Sequence, residues 1–154
     1  KNMKKIQLAL LSVAFLLVSC ADMGGTFNSG SNYFSFENAK VPIAKANVIL
    51  SDQNYTFELY SDAQGKHKGY HIILSFPNTL NDTLFMLPLP KEPWSVEGSV
   101  EGIDYSGDRS GRIGFQSMNV QIKTIDGAGT YELMFSLALE DSRCMKGYYK
   151  GRVN

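Results

Sequence analysis

In Ser117-Met118-Asn119-Val120-Gln121-Ile122-Lys123-Thr124-Ile125-Asp126-Gly127-Ala128-Gly129-Thr130-Tyr131-Glu132-Leu133-Met134-Phe135-Ser136-Leu137-Ala138-Leu139, large apolar residues recur at every second position on either side of a glycine-rich turn. Met118, Val120 and Ile122 alternate with Ser117, Asn119, Gln121 and Lys123. Beyond the Asp126-Gly127-Ala128-Gly129 turn, Tyr131, Leu133, Phe135, Leu137 and Leu139 form the next apolar set. A period of two places one set of side chains on each face of a strand. Asp-Gly between two such runs supplies the positive φ that a tight hairpin needs. A helix over residues 133–140 would fit the composition, but Tyr131 before it and the Asp-Gly turn favour strand. The stretch therefore predicts an antiparallel hairpin with one face turned inward.

The same period extends outward in both directions. Tyr55, Phe57 and Leu59 alternate with Thr56, Glu58 and Tyr60, and Tyr70, Ile72, Leu74 and Phe76 with His71, Ile73 and Ser75. Further strands are predicted over residues 33–36, 44–50, 83–87, 94–105 with a break at Gly98 or Gly102, and 145–153. No segment after residue 20 offers ten residues of helical periodicity free of Gly and Pro. The fold class is all-β, an antiparallel β-sandwich of about eight or nine strands, with a small lipocalin-like barrel as the alternative. The large inward residues are numerous enough to fill a core, and no Gly-x-Trp signature precedes the strands, so the sandwich is preferred. Pro88-Leu89-Pro90-Lys91-Glu92-Pro93 reads as a crossing between sheets, since proline cannot donate to a central ladder.

Composition narrows the function. Of 154 residues, 44% are hydrophobic and 19% charged, a globular rather than disordered balance. Fifteen Lys and Arg face fifteen Asp and Glu, which leaves no positive excess for nucleic acid.

The N-terminus carries an address. Lys1, Lys4 and Lys5 precede residues 6–18, in which Gln7 and Ser12 are the polar exceptions. Thirteen residues at 1.5 Å rise span about 20 Å, short of the roughly 30 Å hydrocarbon core, so a cleaved signal is favoured over a membrane helix. Met3 is the plausible initiator, with Lys1 and Asn2 upstream of it. At the end of the run stands Leu17-Val18-Ser19-Cys20, which resembles the lipobox of bacterial lipoproteins. The resemblance spans residues 3 to 20, and with its β-rich body the chain resembles small β-rich lipoproteins of the Bacteroidota. It implies cleavage before Cys20, acylation of its sulfur and amine, and attachment to the outer membrane through that lipid. Two or three acyl chains hold far more firmly than one. Cleavage leaves 135 residues with 12 basic against 15 acidic side chains, so the body would be weakly repelled by an anionic surface.

The expected organisation is a signal peptide over residues 1–19, a lipidated flexible tether over 20–32 and an all-β domain over 33–154. The tether is rich in Gly, Ser and Asn. Asp22 stands alone where surface-displayed relatives of this kind carry several acids, so these residues do not choose between the periplasmic and the surface face. With Cys20 acylated, Cys144 would be left as a thiol buried in a late strand.

Few residues suggest chemistry. His67 and His71 lie four apart, which on a strand means about 13 Å, beyond the reach of one metal ion. Two solvated histidines beside Lys66 and Lys68 are expected. The run from Asp104 to Arg112 has oxygen-bearing side chains at alternate positions, but Arg109 and Phe115 stand where a calcium loop needs glycine and glutamate. Glu97 and Glu101, also four apart, exceed the separation of a glycosidase pair and read as a solvated face together with Ser95 and Ser99. Trp94, following the proline-rich connection, would form a stacking platform with Tyr105 for a sugar or peptide if exposed, and would cap the core if not. Of Tyr148 and Tyr149, one should be buried and the other wet. No metal or cofactor is implied. The expectation is a non-catalytic envelope lipoprotein that binds or interacts structurally with an envelope protein or glycan. A barrel-type carrier of a small apolar ligand is the alternative, and a hydrolytic enzyme the third reading.

Overall fold

The hairpin around Asp126 lies within a six-stranded antiparallel sheet. A computed structural model of the chain describes residues 31–153 except Lys68. The expected signal segment, the Leu17-Val18-Ser19-Cys20 motif and all but the end of the expected tether lie outside the described residues.

Eleven strands occur among the described residues: β1 Tyr33–Phe36, β2 Ala39–Pro42, β3 Lys45–Leu50, β4 Asn54–Tyr60, β5 His71–Pro77, β6 Leu84–Leu87, β7 Ser95–Val100, β8 Ile103–Asp108, β9 Ser117–Thr124, β10 Thr130–Ala138 and β11 Cys144–Arg152. One sheet has the order β2-β1-β11-β10-β9-β6, the other β3-β4-β5-β7-β8, and all pairings are antiparallel. The two sheets are not closed into a barrel. The predicted sandwich is therefore the architecture, with more strands than eight or nine. β2 is the strand the periodicity misses, because Ala39-Lys40-Val41-Pro42 is a four-residue edge strand without a large inward residue. The break predicted at Gly98 or Gly102 falls at Glu101-Gly102, where φ is +49° and +78°. Two successive left-handed residues are the signature of a two-residue hairpin turn whose twist matches its strands.

In the β9–β10 hairpin, Met118, Val120 and Ile122 pair with Leu137, Phe135 and Leu133, and all six are fully buried. The turn differs in detail from the Asp-Gly expectation. Positive φ falls on Gly129 (+82°), not on Gly127. The Asp126 carboxylate accepts hydrogen bonds from the amides of Ala128 (3.0 Å) and Thr130 (3.1 Å), which hold it below the usual carboxylate range.

Aromatic rings join the layers. Tyr55 meets Tyr131 edge-on at 5.1 Å, Phe57 meets Tyr149 at 6.3 Å, Phe34 meets Tyr70 at 6.1 Å and Phe76 meets Phe85 at 5.0 Å. Each such pair contributes about 0.5–1.5 kcal/mol beyond the area it buries. The proline-rich segment 88–93 carries the chain from β6 in one sheet to β7 in the other, as its missing donors predict. The expectation that one of Tyr148 and Tyr149 is wet is corrected, because both are buried. Tyr149 enters the core, while Tyr148 lies against Tyr33 at 6.1 Å, and Lys40 Nζ stands 3.9 Å from the Tyr33 ring centre. A neighbouring ring, not the core, shields the second tyrosine.

Candidate functional site

The β4–β5 connection decides where the histidines go. Gly65 and Gly69 both take positive φ (+70° and +74°), a conformation natural to glycine. The Asp62 carboxylate accepts from the amide of Gln64 at 2.8 Å, and the Ser61 hydroxyl from that of Tyr70 at 3.0 Å. The loop curls back, and the rings of His67 and His71 come to 4.6 Å between centres. The 13 Å expectation is thereby corrected: it holds for a continuous strand, whereas His67 sits in the turn and His71 opens β5. His67 is exposed as expected, but His71 is 6% exposed and not solvated.

His71 belongs to a row that crosses the outer face of the five-stranded sheet. In register stand Lys45, Tyr60, His71, Ser99 and Asp104, one from each strand. The Ser99 hydroxyl donates to the Gly69 carbonyl at 3.0 Å and lies 3.1 Å from His71 Nδ1. A hydroxyl has one proton, and a carbonyl can only accept. Ser99 must therefore accept from Nδ1–H, which assigns the proton of neutral His71 to Nδ1 and leaves Nε2 as a lone pair. Among the described residues Nε2 has no hydrogen-bond partner. Beneath the row, the Tyr105 hydroxyl donates to the His71 carbonyl at 2.8 Å. Gly98, paired with Tyr105, makes room for this, since a methyl group there would collide with both the phenol and that carbonyl. Side chain and backbone of His71 are thus fixed from opposite faces of the sheet.

Around His71 lies an open recess of about 410 Å³, lined by His67, Glu97, Asp104 and Glu140 among others. Burial lowers the His71 pKa, the neighbouring His67 lowers it further, and Glu97 and Asp104 oppose the shift. As placed, no three His, Cys, Asp or Glu side chains among the described residues stand close enough to hold a metal ion.

The remaining candidates disperse. Trp94 and Tyr105 are 5% and 3% exposed, so of the two readings of Trp94 the structure shows the core cap and not the stacking platform. The Trp94 ring caps the core against Phe115 at 6.2 Å, its Nε1 donating to the Leu89 carbonyl at 3.3 Å. Gly107 lies beneath both rings. Glu97 is exposed on β7, while Glu101 sits in the adjoining turn and accepts from the Tyr70 hydroxyl at 2.7 Å. Burial and this carboxylate push Tyr70 up to about 12. Ser99, expected on a solvated face, is buried behind His71. Residues 104–108 are extended, which spreads their alternate oxygens along a strand where they cannot wrap an ion.

Cys144 opens β11 beside Arg143, at a second recess that also includes Glu37 and Lys146. Its expected thiol is corrected: Cys144 is disulfide-bonded. The expectation assigned the other sulfur of the sequence to a lipid. That other cysteine, Cys20, lies outside the described residues.

The His71–Ser99 contact was not legible beforehand, because β5 pairs with β7 across a connection that visits the other sheet. Histidine and serine on strands of matching phase would have been the only signal. Comparison with protein-family models, curated proteins and solved structures gives no match for this chain.

Proposed function

We propose that this chain is an envelope lipoprotein, anchored to the outer membrane through acylated Cys20, with a non-catalytic β-sandwich for binding or structural interaction with an envelope protein or glycan. The observation that carries this reading is the order of Lys4-Lys5, the apolar residues 6–18 and Leu17-Val18-Ser19-Cys20 ahead of an all-β body that begins at Tyr33. Among the described residues no helix is long and apolar enough to cross a membrane.

Two features of the body favour a binding role over its rivals. A carrier of apolar cargo needs an enclosed cavity, and here the sheets stay open around a side-chain-filled core. A serine nucleophile must hand its proton to a histidine; Ser99 receives one from His71 instead, and is buried.

A thioether at Cys20 and an intramolecular disulfide at Cys144 compete for one sulfur, because the sequence has two cysteines. Replacing Cys20 by Ser separates the two fates. Lipidation leads to the expectation that C20S leaves the membrane fraction for the soluble one with its melting temperature unchanged. A variant that stays with membranes, or that keeps the wild-type distribution and loses the roughly 2–4 kcal/mol typical of a disulfide, would overturn the reading.

A further inference from the structure

We infer that the outer face of the six-stranded sheet is a docking surface for an anionic phospholipid membrane, its basic residues meeting the headgroup phosphates while Leu84 and Met86 enter the acyl boundary. Charge is divided unequally between the two outer faces of the sandwich. The register puts Lys40, Lys123, Lys146, Lys150 and Arg152 on the outer face of the six-stranded sheet, against the acid Glu132. Glu132 stands between Lys123 and Lys150 in one row across the strands, so its charge is met from both sides. On the strands of the other outer face the balance is reversed, with Glu58, Glu97, Asp104 and Asp108 against Lys45. The weak repulsion expected from net charge treats the body as evenly charged. With one basic and one acidic side, the local field turns the basic side toward an anionic surface.

Apolar groups share that basic face. Leu84 and Met86 of the edge strand β6 are 61% and 58% exposed and pair with Gln121 and Asn119 of β9. From Met86 one row runs through Asn119, Ser136, Lys146 and Ser35 to Lys40 on the opposite edge strand. Five strand spacings, about 24 Å, therefore separate an apolar edge from a basic one. The combination chooses the partner. A soluble polyanion offers charge but no apolar layer, whereas a lipid surface offers phosphates with acyl chains directly beneath them. The sheet meets it with β6 lowest, and the lysines farther back stay at the level of the headgroups. The inference does not rest on acylation of Cys20; where that lipid is present it keeps the face near the membrane, since twelve residues separate Cys20 from Tyr33.

The test uses the unacylated full-length chain, which separates its outcome from the fate of Cys20, and co-sedimentation with phosphatidylcholine vesicles that contain or lack phosphatidylglycerol. A lysine near an anionic surface is worth about fivefold in binding. The Lys40→Gln, Lys123→Gln, Lys150→Gln variant, changed at exposed positions, should therefore bind anionic vesicles about tenfold or more weakly and neutral ones as the wild type does. Lys1, Lys4 and Lys5 are common to every variant, so the comparison reads the face. Leu84→Ser with Met86→Ser should also weaken binding, by about fivefold, and Lys45→Gln on the acidic face should leave it unchanged. In the wild type, a spin label on the lipid headgroup should broaden the methyl NMR signals of Leu84 and Met86 and spare those of Ile73 on the other outer face. Anionic binding unaltered in the triple variant, Ile73 broadened as strongly as Met86, or soluble polyphosphate bound as tightly as vesicles and regardless of Leu84 and Met86 would each overturn the assignment.

Discussion

Gly147→Ala is expected to lower the stability of the sandwich by about 2–3 kcal/mol, and its melting temperature by roughly 10 °C. Gly147 sits on β11 between Phe34 of β1 and Phe135 of β10, in register with both. The two rings close over it, 6.4 Å apart between centres. A methyl group at Gly147 would stand inside the Phe135 ring. Phe135 is fully buried, so its ring has no open space to swing into, and overpacking in a closed core is relieved only by off-rotamer side chains or a shifted strand. Phe135→Leu in the Gly147→Ala background should restore part of the loss, since the smaller side chain gives back the volume. The coupling between the two changes is measured by a double-mutant cycle in thermal or urea unfolding. An unchanged midpoint for the single variant would mean that the ring does not lie over this glycine.

Alkaline unfolding is the second large effect. The phenols of Tyr55, Tyr60, Tyr70, Tyr105, Tyr148 and Tyr149 are all raised above the ordinary value of 10, burial being the first cause in each. For Tyr55 the hydrogen bond with Tyr131 adds to burial; for Tyr70 the Glu101 carboxylate does, bringing it to about 12. A phenol whose pKa is higher in the folded than in the unfolded state keeps its proton on folding. Its stabilising share is complete below the unfolded value and is lost as pH rises through the folded one. Stability should therefore be level up to about pH 10 and fall steeply above it, since making one phenol tenfold harder to ionise in the folded state corresponds to about 1.4 kcal/mol. Tyrosinate absorbance should appear together with loss of the β-sheet circular dichroism. Tyrosines that ionise near their ordinary value while the sheet signal persists would contradict the packing described here.

What the sequence made legible was phase. Met118, Val120 and Ile122, or Ile72, Leu74 and Phe76, each declare one buried face, because a strand repeats every two residues and water excludes one set. Register between strands distant in sequence left no such mark. Ser99 and His71 meet because β5 pairs with β7, and nothing local to either residue specifies that pairing. The spacing rule failed for His67 because it presumes a straight strand, whereas Gly65 and Gly69 bend the chain. The sequence left Trp94 between the core and the surface, because Gly107 and Phe115, which provide the slot it fills, are both distant from it in sequence. The second aromatic layer on β11 was hidden for a similar reason: Tyr33 covers Tyr148 from the neighbouring strand β1, which is distant in sequence.

The fate of the Cys20 sulfur decides how the two ends of this account fit together, and the intact mass of protein taken from the membranes of its native cells reads it directly. A chain beginning at Cys20 and heavier by two or three acyl chains plus glycerol is the expected result. A mass that includes residues 6–18, or a Cys20 that is unmodified or joined to Cys144, would contradict it.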